Sequence, residues 1–385
     1  MMSVCTYSLL RRICLTSGRR TYTTATATKL QNTEIEPFRT FETYPPNHTE
    51  SHLGRIYTVP FEDHQVLQNN IPNEWKQQIK IFAEFGILIR KPAVEIISYL
   101  EQTDYTRPIN KYVIYGRDGV GKTSTILHLI HYGLAKKFIV LHVPSVNTWF
   151  RFPKEIANSP LEPDKIDLTI HAGTWLKYFK NLNAPVFKEL HLEVSKDYTW
   201  SARESTKCGE SLSNLIDFGI HRLKFACGVI DALVNELKGA SIAGKCKVLT
   251  VMTGFNALTA DYTSIRDENK VHVPPKTISL TKSLLSAVNQ DWCNGAAILS
   301  VDTRAVKYNR ESIYPKYLLG KEGFELLDPF LPISIENYTQ DEFNTIIEYY
   351  KDRKWIREIT PEGVKELELL SNRNPYDLWH YCKPL

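Results

Sequence analysis

Residues 116–123 read Gly116-Arg117-Asp118-Gly119-Val120-Gly121-Lys122-Thr123, a complete G-x-x-x-x-G-K-[ST] string. Nothing else in the chain restricts the fold as tightly, because the string works only where a strand runs into it and a helix opens from it. Both flanks are legible. Tyr112 to Tyr115 is a short aromatic and β-branched run, and Thr123 to Leu134 has helical character. A chain of this length would hold such a string by chance about once in a hundred sequences at ordinary residue frequencies.

The chemistry follows from the residue types. Glycines let the loop turn tightly and bring backbone N–H groups of residues 116–124 toward a phosphate. Lys122 can reach the outer phosphate oxygens, the Thr123 hydroxyl can ligate Mg²⁺, and Ser124 follows at the positive end of the helix. An enzyme of this type also needs an acid at the end of a neighbouring strand. The strand candidate Val248–Met252 ends in Thr253-Gly254-Phe255-Asn256, without a carboxylate. The candidate Ala296–Val301 is followed by Asp302, which could hold Mg²⁺, while Ser300 could serve as a polar sensor; the sensor reading is preferred. Asp118 inside the loop is expected to be solvated. The N-K-x-D string that reads guanine is absent, since Asn110-Lys111 is followed by Tyr112-Val113 and precedes the loop.

Around this loop the chain alternates strands and helices. With Phe138–Val143 and Phe330–Ile335 the strand candidates number five, the pattern of an α/β fold with a mostly parallel sheet and flanking helices. About a hundred residues separate Val143 from Val248, far more than a βα crossover needs. An insertion is therefore expected at about 150–210, followed by one long amphipathic helix over Leu212–Leu237. Prolines 37, 45, 46, 60 and 72 suggest that residues 31–75 form an extended arm. Helical spacing at Ile81, Phe82, Phe85 and Ile89, and again at Val94, Ile97 and Leu100, opens the core, assigned to residues 76–336. Residues 337–385 read as helix only. Thr339 begins a capping box closed by Glu342, Thr360-Pro361 opens a second helix and Asn374-Pro375 a third, which predicts a helical lid domain.

The formal charge is +4, from 47 Lys+Arg against 43 Asp+Glu. The excess is local. Residues 1–30 hold Arg11, Arg12, Arg19, Arg20 and Lys29 among many hydroxyl residues, and no acid precedes Glu34. That composition predicts a mitochondrial targeting segment. Loss of the four arginines leaves a neutral body, so limited RNA contact through patches is expected rather than a broad basic coat. No 18-residue apolar run is present, so membrane insertion is not expected. The seven cysteines form no C-x-x-C pair and are expected to be reduced. His128 and His131 are expected to pack rather than bind metal.

Several motifs together resemble the death-associated protein three family of mitochondrial small-subunit ribosomal proteins. They are the phosphate loop with His128-Leu129-Ile130-His131, Arg90-Lys91-Pro92-Ala93-Val94-Glu95, Val143-Pro144-Ser145, Thr174-Trp175-Leu176-Lys177 and Arg203-Glu204-Ser205-Thr206. Gly254-Phe255-Asn256-Ala257-Leu258, Gly320-Lys321-Glu322-Gly323-Phe324, Leu327-Asp328-Pro329-Phe330 and Ser371-Asn372-Arg373-Asn374-Pro375 complete the set, from about Ile56 onward. The resemblance implies a P-loop NTPase core of AAA+-like type with a helical lid. It also implies bound GTP or GDP with Mg²⁺, although the residues themselves do not exclude ATP. Implied partners are mitochondrial small-subunit proteins and rRNA, with large-subunit contacts at the subunit interface, in the mitochondrial matrix; a link to apoptosis comes with the family. Where the family strand ends in Asp, this chain has Thr253, and the same alignment makes the strand ending at Ser300 the sensor strand. The expected function is therefore a structural ribosomal component whose nucleotide undergoes little or no hydrolysis. The alternatives are an active AAA+-type GTPase or ATPase using Lys122, Thr123 and Asp302, and a nucleotide-dependent apoptosis adaptor.

Overall fold

Five strands pair in parallel in the computed structural model: β1 (Asn110–Tyr115), β2 (Ile139–Val143), β3 (Val248–Thr253), β4 (Gly295–Ser300) and β5 (Leu331–Ser334). Their order across the sheet is β5-β1-β4-β3-β2. The structure describes residues 38–68, 71–267, 269–305, 312–357 and 359–383. The expected targeting segment, residues 1–30, lies outside them.

The inner strands read as continuous apolar runs because both faces of the sheet are covered. Alternate residues serve opposite faces. Val113, Leu141, Met252 and Leu299 point into one core. Ile114, Val140, Val251 and Ile298 point into the other. The second face is covered by the helices Lys91–Gln102 and Lys122–Ala135, which bring Ile97, Leu100, Ile126 and Ile130 to it. The first face is covered by the insertion between β2 and β3. There the helix Thr169–Leu182 buries Trp175, Leu176 and Phe179.

The single long helix expected over Leu212–Leu237 is two helices, Leu212–His221 and Ala226–Ile242, with a 3-10 turn at Leu223–Phe225 between them. The helix breaks at Arg222, whose backbone sits at φ −114°, ψ 70°. The break lets the two halves pack on each other and on Leu176. At Gly219 an added Cβ would lie 2.6 Å from Leu176 Cδ1 and 2.8 Å from Val229 Cγ1. Apolar spacing survives the break because each half is amphipathic by itself.

The described part of the expected arm, from Phe38, is packed rather than extended. Ile56–Thr58 pairs antiparallel with Gly86–Leu88, and two helices, Phe61–Gln68 and Asn73–Phe82, lie between them. The helical spacing read through Ile89 ends earlier, because Ala83 takes a left-handed conformation (φ 51°) and the chain turns into the hairpin. His48 is buried and its Nδ1 lies 2.8 Å from His128 Nε2, while Tyr57 Oη lies 3.2 Å from His131 Nδ1. The prolines interrupt regular structure here without preventing burial.

The C-terminal helices Gln340–Asp352, Pro361–Ser371 and Pro375–Cys382 begin at Thr339, Thr360 and Asn374, each of which accepts a backbone N–H at the helix start. They do not rest on the sheet. Phe343, Ile347, Tyr350 and Leu378 share a third core with Phe38, Ile56, Phe82 and Leu88 of the N-terminal segment. Arg39 binds Glu84 Oε1 at 2.6 Å and Asp352 Oδ2 at 2.7 Å across the same junction. The helices are thereby held over the end of β1, where the phosphate loop begins.

Candidate nucleotide site

β1 ends at Tyr115, and the loop Gly116–Gly121 carries the chain into the helix Lys122–Ala135. Gly116 and Gly119 have φ of 155° and 79°. A Cβ on Gly116 would collide with Ile335 O, and one on Gly119 would meet Asn374 Oδ1 at 2.5 Å. Only glycine lets the backbone run this close to its neighbours. Among the described residues no protein acceptor pairs with the backbone N–H groups of Gly119 to Ser124, and the first such bond is Thr125 N–H to Gly121 O, 3.1 Å. These open donors, at the positive end of a 14-residue helix, fit an anionic phosphate group.

Lys122 Nζ donates to Gly116 O (2.8 Å) and Arg117 O (3.0 Å), folded onto the loop that it would leave to meet a phosphate. Burial pulls its pKa below the usual lysine value, and Arg304 adds to that, while Asp302 and Asp118 oppose it. Asp118 is not simply solvated, contrary to the expectation. Its Oδ1 accepts from Thr303 Oγ1 at 3.0 Å and its Oδ2 from Arg304 Nε at 2.9 Å. Burial works against its ionisation, but the hydrogen bond of Thr303 and the charges of Arg304 and Lys122 outweigh that, and its pKa falls below the usual carboxylate value.

The ends of the strands separate the candidates on β4. Ser300 pairs in register with Ile114 on one side and Thr253 on the other. Its hydroxyl is fully buried and accepts Gly254 N–H at 3.3 Å, toward β3. Asp302, two residues on, is the charge that most supports Lys122. Its backbone is fixed by Asn256, whose Nδ2 donates to Asp302 O (2.9 Å) and whose Oδ1 accepts Asp302 N–H (3.0 Å). The loop glycines, Asp118, Lys122 and Asp302 thus come together, while the Ser300 hydroxyl that accepts Gly254 N–H keeps its own proton to donate. Thr253 is half-buried at the end of β3 and brings no charge. If Mg²⁺ is held here, the Thr123 hydroxyl and the Asp302 carboxylate are the donors of the right kind, oxygen ligands suited to a hard cation.

Two residues to which the sequence motifs assign no part in phosphate binding fasten this loop. Arg90, just before the helix Lys91–Gln102, is 5 % exposed. It donates to Val120 O of the loop (2.7 Å), to Glu336 O and Asn337 O, and to both carboxylate oxygens of Glu342 at 3.1 Å. Asn374 caps its own helix through Oδ1 and donates from Nδ2 to Asp118 O at 3.0 Å, beside a Tyr376 N–H to Gly119 O bond of 3.1 Å. The cap was legible from Asn374-Pro375; its second bond, to a residue 256 positions away, had no local signal.

A family model described as mitochondrial ribosomal death-associated protein 3 matches residues 87–380. This chain belongs to that family. Over 352 residues it is 35% identical to the small ribosomal subunit protein mS29 of Mus musculus, covering 90% of this chain and 89% of that protein. The mS29 protein of Bos taurus is 35% identical over 349 residues, with 89% and 87% covered. Among solved structures, the Walker-type ATPase PABY2304 of Pyrococcus abyssi covers 76% of this chain and 65% of its own, at 12% identity and a TM-score of 0.39, too slight a likeness to carry any role across. The family match includes the phosphate loop, Thr253, Asp302, two of the C-terminal helices and the start of the third, so the loop geometry described above belongs to the family region of the chain.

Proposed function

We propose that this chain is a structural component of the small subunit of the mitochondrial ribosome, and that it holds a guanine nucleotide with Mg²⁺ in the loop Gly116–Ser124, with little or no hydrolysis. Membership of the family and the names of the mouse and bovine relatives support the ribosomal role. The same reading places it in the mitochondrial matrix, imported by the basic segment 1–30, with ribosomal proteins and rRNA as neighbours and large-subunit contacts at the interface.

One observation carries the structural rather than enzymatic use of the nucleotide. The phosphate loop is fastened to the C-terminal helices by Asn374 and Arg90, while the strand end at Thr253 supplies no carboxylate. Bound Mg²⁺ would neutralise phosphate charge, and Lys122 would orient the phosphates. A ligand that binds only the folded state stabilises it by about 4 kcal/mol when its free concentration is a thousand times Kd. Asp302, close to Lys122, supports a second reading as a GTPase or ATPase.

A single preparation tests both. Tagged full-length chain is isolated from mitochondria, sedimented on a sucrose gradient, and the bound nucleotide and metal are released by heat and identified. Co-sedimentation with small-subunit rRNA, guanine nucleotide in the released fraction and phosphate release no faster than in Lys122→Ala are expected. Sedimentation apart from that rRNA removes the ribosomal role, and turnover abolished by Asp302→Asn transfers the site to the enzyme reading.

A further inference from the structure

The acid inside the phosphate loop holds an arginine that no motif accounts for. Asp118 Oδ2 accepts Arg304 Nε at 2.9 Å, and Asp118 Oδ1 accepts the hydroxyl of Thr303 at 3.0 Å. Both partners come from the turn Thr303–Ala305, directly after β4. That turn is anchored. Asn256 grips the backbone of Asp302 from both sides, and Arg304 N–H donates to Asp302 Oδ1 at 3.0 Å. The backbone of Arg304 is therefore fixed relative to the ends of β3 and β4, while its side chain is 71% exposed and reaches Asp118 at the surface.

The side-chain charges in this corner are Lys122 and Arg304 against Asp118 and Asp302. A bound polyphosphate adds several negative charges next to two carboxylates. Lys122 answers part of that charge from inside the loop. In open parallel sheets ligands sit at the carboxyl ends of the strands. The loop and helix start hold the inner phosphates, so a further phosphate extends toward the end of the neighbouring strand, which here is β4 with its Asp302–Arg304 turn. An exposed ion pair such as Asp118–Arg304 contributes little and is readily exchanged. A guanidinium presents several donors in a planar fork that matches phosphate oxygens.

We infer that Arg304 is a ligand for the terminal phosphate of a nucleoside triphosphate, and that Asp118 is the protein's own anion on the same guanidinium. The loop then distinguishes triphosphate from diphosphate through this arginine. The inference rests on the nucleotide-binding reading above and adds to it which ligand state the site prefers and which residue sets the preference.

The test compares mant-GDP with mant-GMPPNP, titrated with Mg²⁺ into purified full-length chain by fluorescence, with circular dichroism to confirm folding of each variant. Arg304→Ala is expected to weaken mant-GMPPNP binding about tenfold and to leave mant-GDP within about twofold. Arg304→Lys keeps the charge without the fork and should fall between. Asp118→Asn frees the arginine and should raise the triphosphate preference, an effect absent when Arg304→Ala is also present. A merely structural role would move both ligands together. If the wild-type chain binds both and Arg304→Ala leaves their ratio unchanged, the inference is overturned while nucleotide binding stands; if the wild-type chain binds neither more tightly than Lys122→Ala does, both fall.

Discussion

Replacing Arg90 with alanine should be the most damaging single change in the region that joins the phosphate loop to the C-terminal helices. The guanidinium side chain is 6% exposed and its partner Glu342 10%. It donates five hydrogen bonds within 3.3 Å, two of them to the carboxylate and three to the carbonyls of Val120, Glu336 and Asn337. Alanine leaves Glu342 buried with, among the described residues, the Thr339 N–H 3.1 Å away as the remaining hydrogen-bond donor to its carboxylate. Breaking one side of a buried pair costs about 3–5 kcal/mol, mostly from the stranded charge. Set against a total stability of about 5–15 kcal/mol, that is a large fraction. With a urea slope of about 3 kcal/mol per molar, the unfolding midpoint should fall by more than about 1 M. The reasoning assigns the cost to the stranded acid, so removing both charges should recover most of it: Arg90→Met with Glu342→Leu should lie well above Arg90→Ala, with a coupling of about 2–3 kcal/mol in the double-mutant cycle. A midpoint shift below about 0.3 M for Arg90→Ala, or a double variant no better than the single one, would refute this account.

Acid should destabilise the fold through buried histidines. Burial pushes His142 down to about 3, while its Nδ1 stays 2.7 Å from Tyr178 Oη. The folded value is below the ordinary 6.5, so the stabilisation is present above that pH and is lost as pH falls toward the folded value. By pH 4.5 the loss from His142 alone is on the order of 3 kcal/mol. Burial lowers His128 and His48 as well, and each adds in the same direction. Urea midpoints at pH 7.5 and 4.5 should differ less for His142→Asn than for the wild-type chain, and an equal difference contradicts the assignment. Gly119→Ala should destabilise more than Gly209→Ala. Both have positive φ, 79° and 85°, but only the first meets a neighbour, Asn374 Oδ1 at 2.5 Å, whereas nothing lies within 4 Å of the second. Strain alone costs about 1 kcal/mol or slightly more at either position, and the clash adds to it at Gly119; thermal melts that rank the two equally would contradict the close packing of loop and helix.

The sequence by itself determined those parts of the molecule whose signals are local. The phosphate loop, the five strands and the caps at Thr339, Thr360 and Asn374 each occupy a few neighbouring residues, and their chemistry is written in residue type and spacing. Loop glycines, Lys122 and Thr123 could therefore be named in advance. The period of apolar residues was a poorer guide where the chain turns between amphipathic pieces. It ran through the break at Arg222, and it ran past Ala83 into a strand, because a buried face looks alike on either side of a bend. The prolines of residues 38–60 misled for a related reason: they interrupt long helices and strands, yet short pieces of chain can still be buried when side chains such as His48 and Tyr57 find partners on a distant helix. Tertiary structure alone decided what surrounds the loop. Arg304 meets Asp118 across 186 positions, Arg90 meets Glu342 across 252, and Asn374 reaches Asp118 across 256. Such pairs leave no periodic trace, since each is a single charge or amide whose partner is set by how the sheet, the insertion and the C-terminal helices close around one another. The string Gly116–Thr123 fixed where a phosphate can sit, and the folded chain fixed which acids, arginines and amides stand beside it.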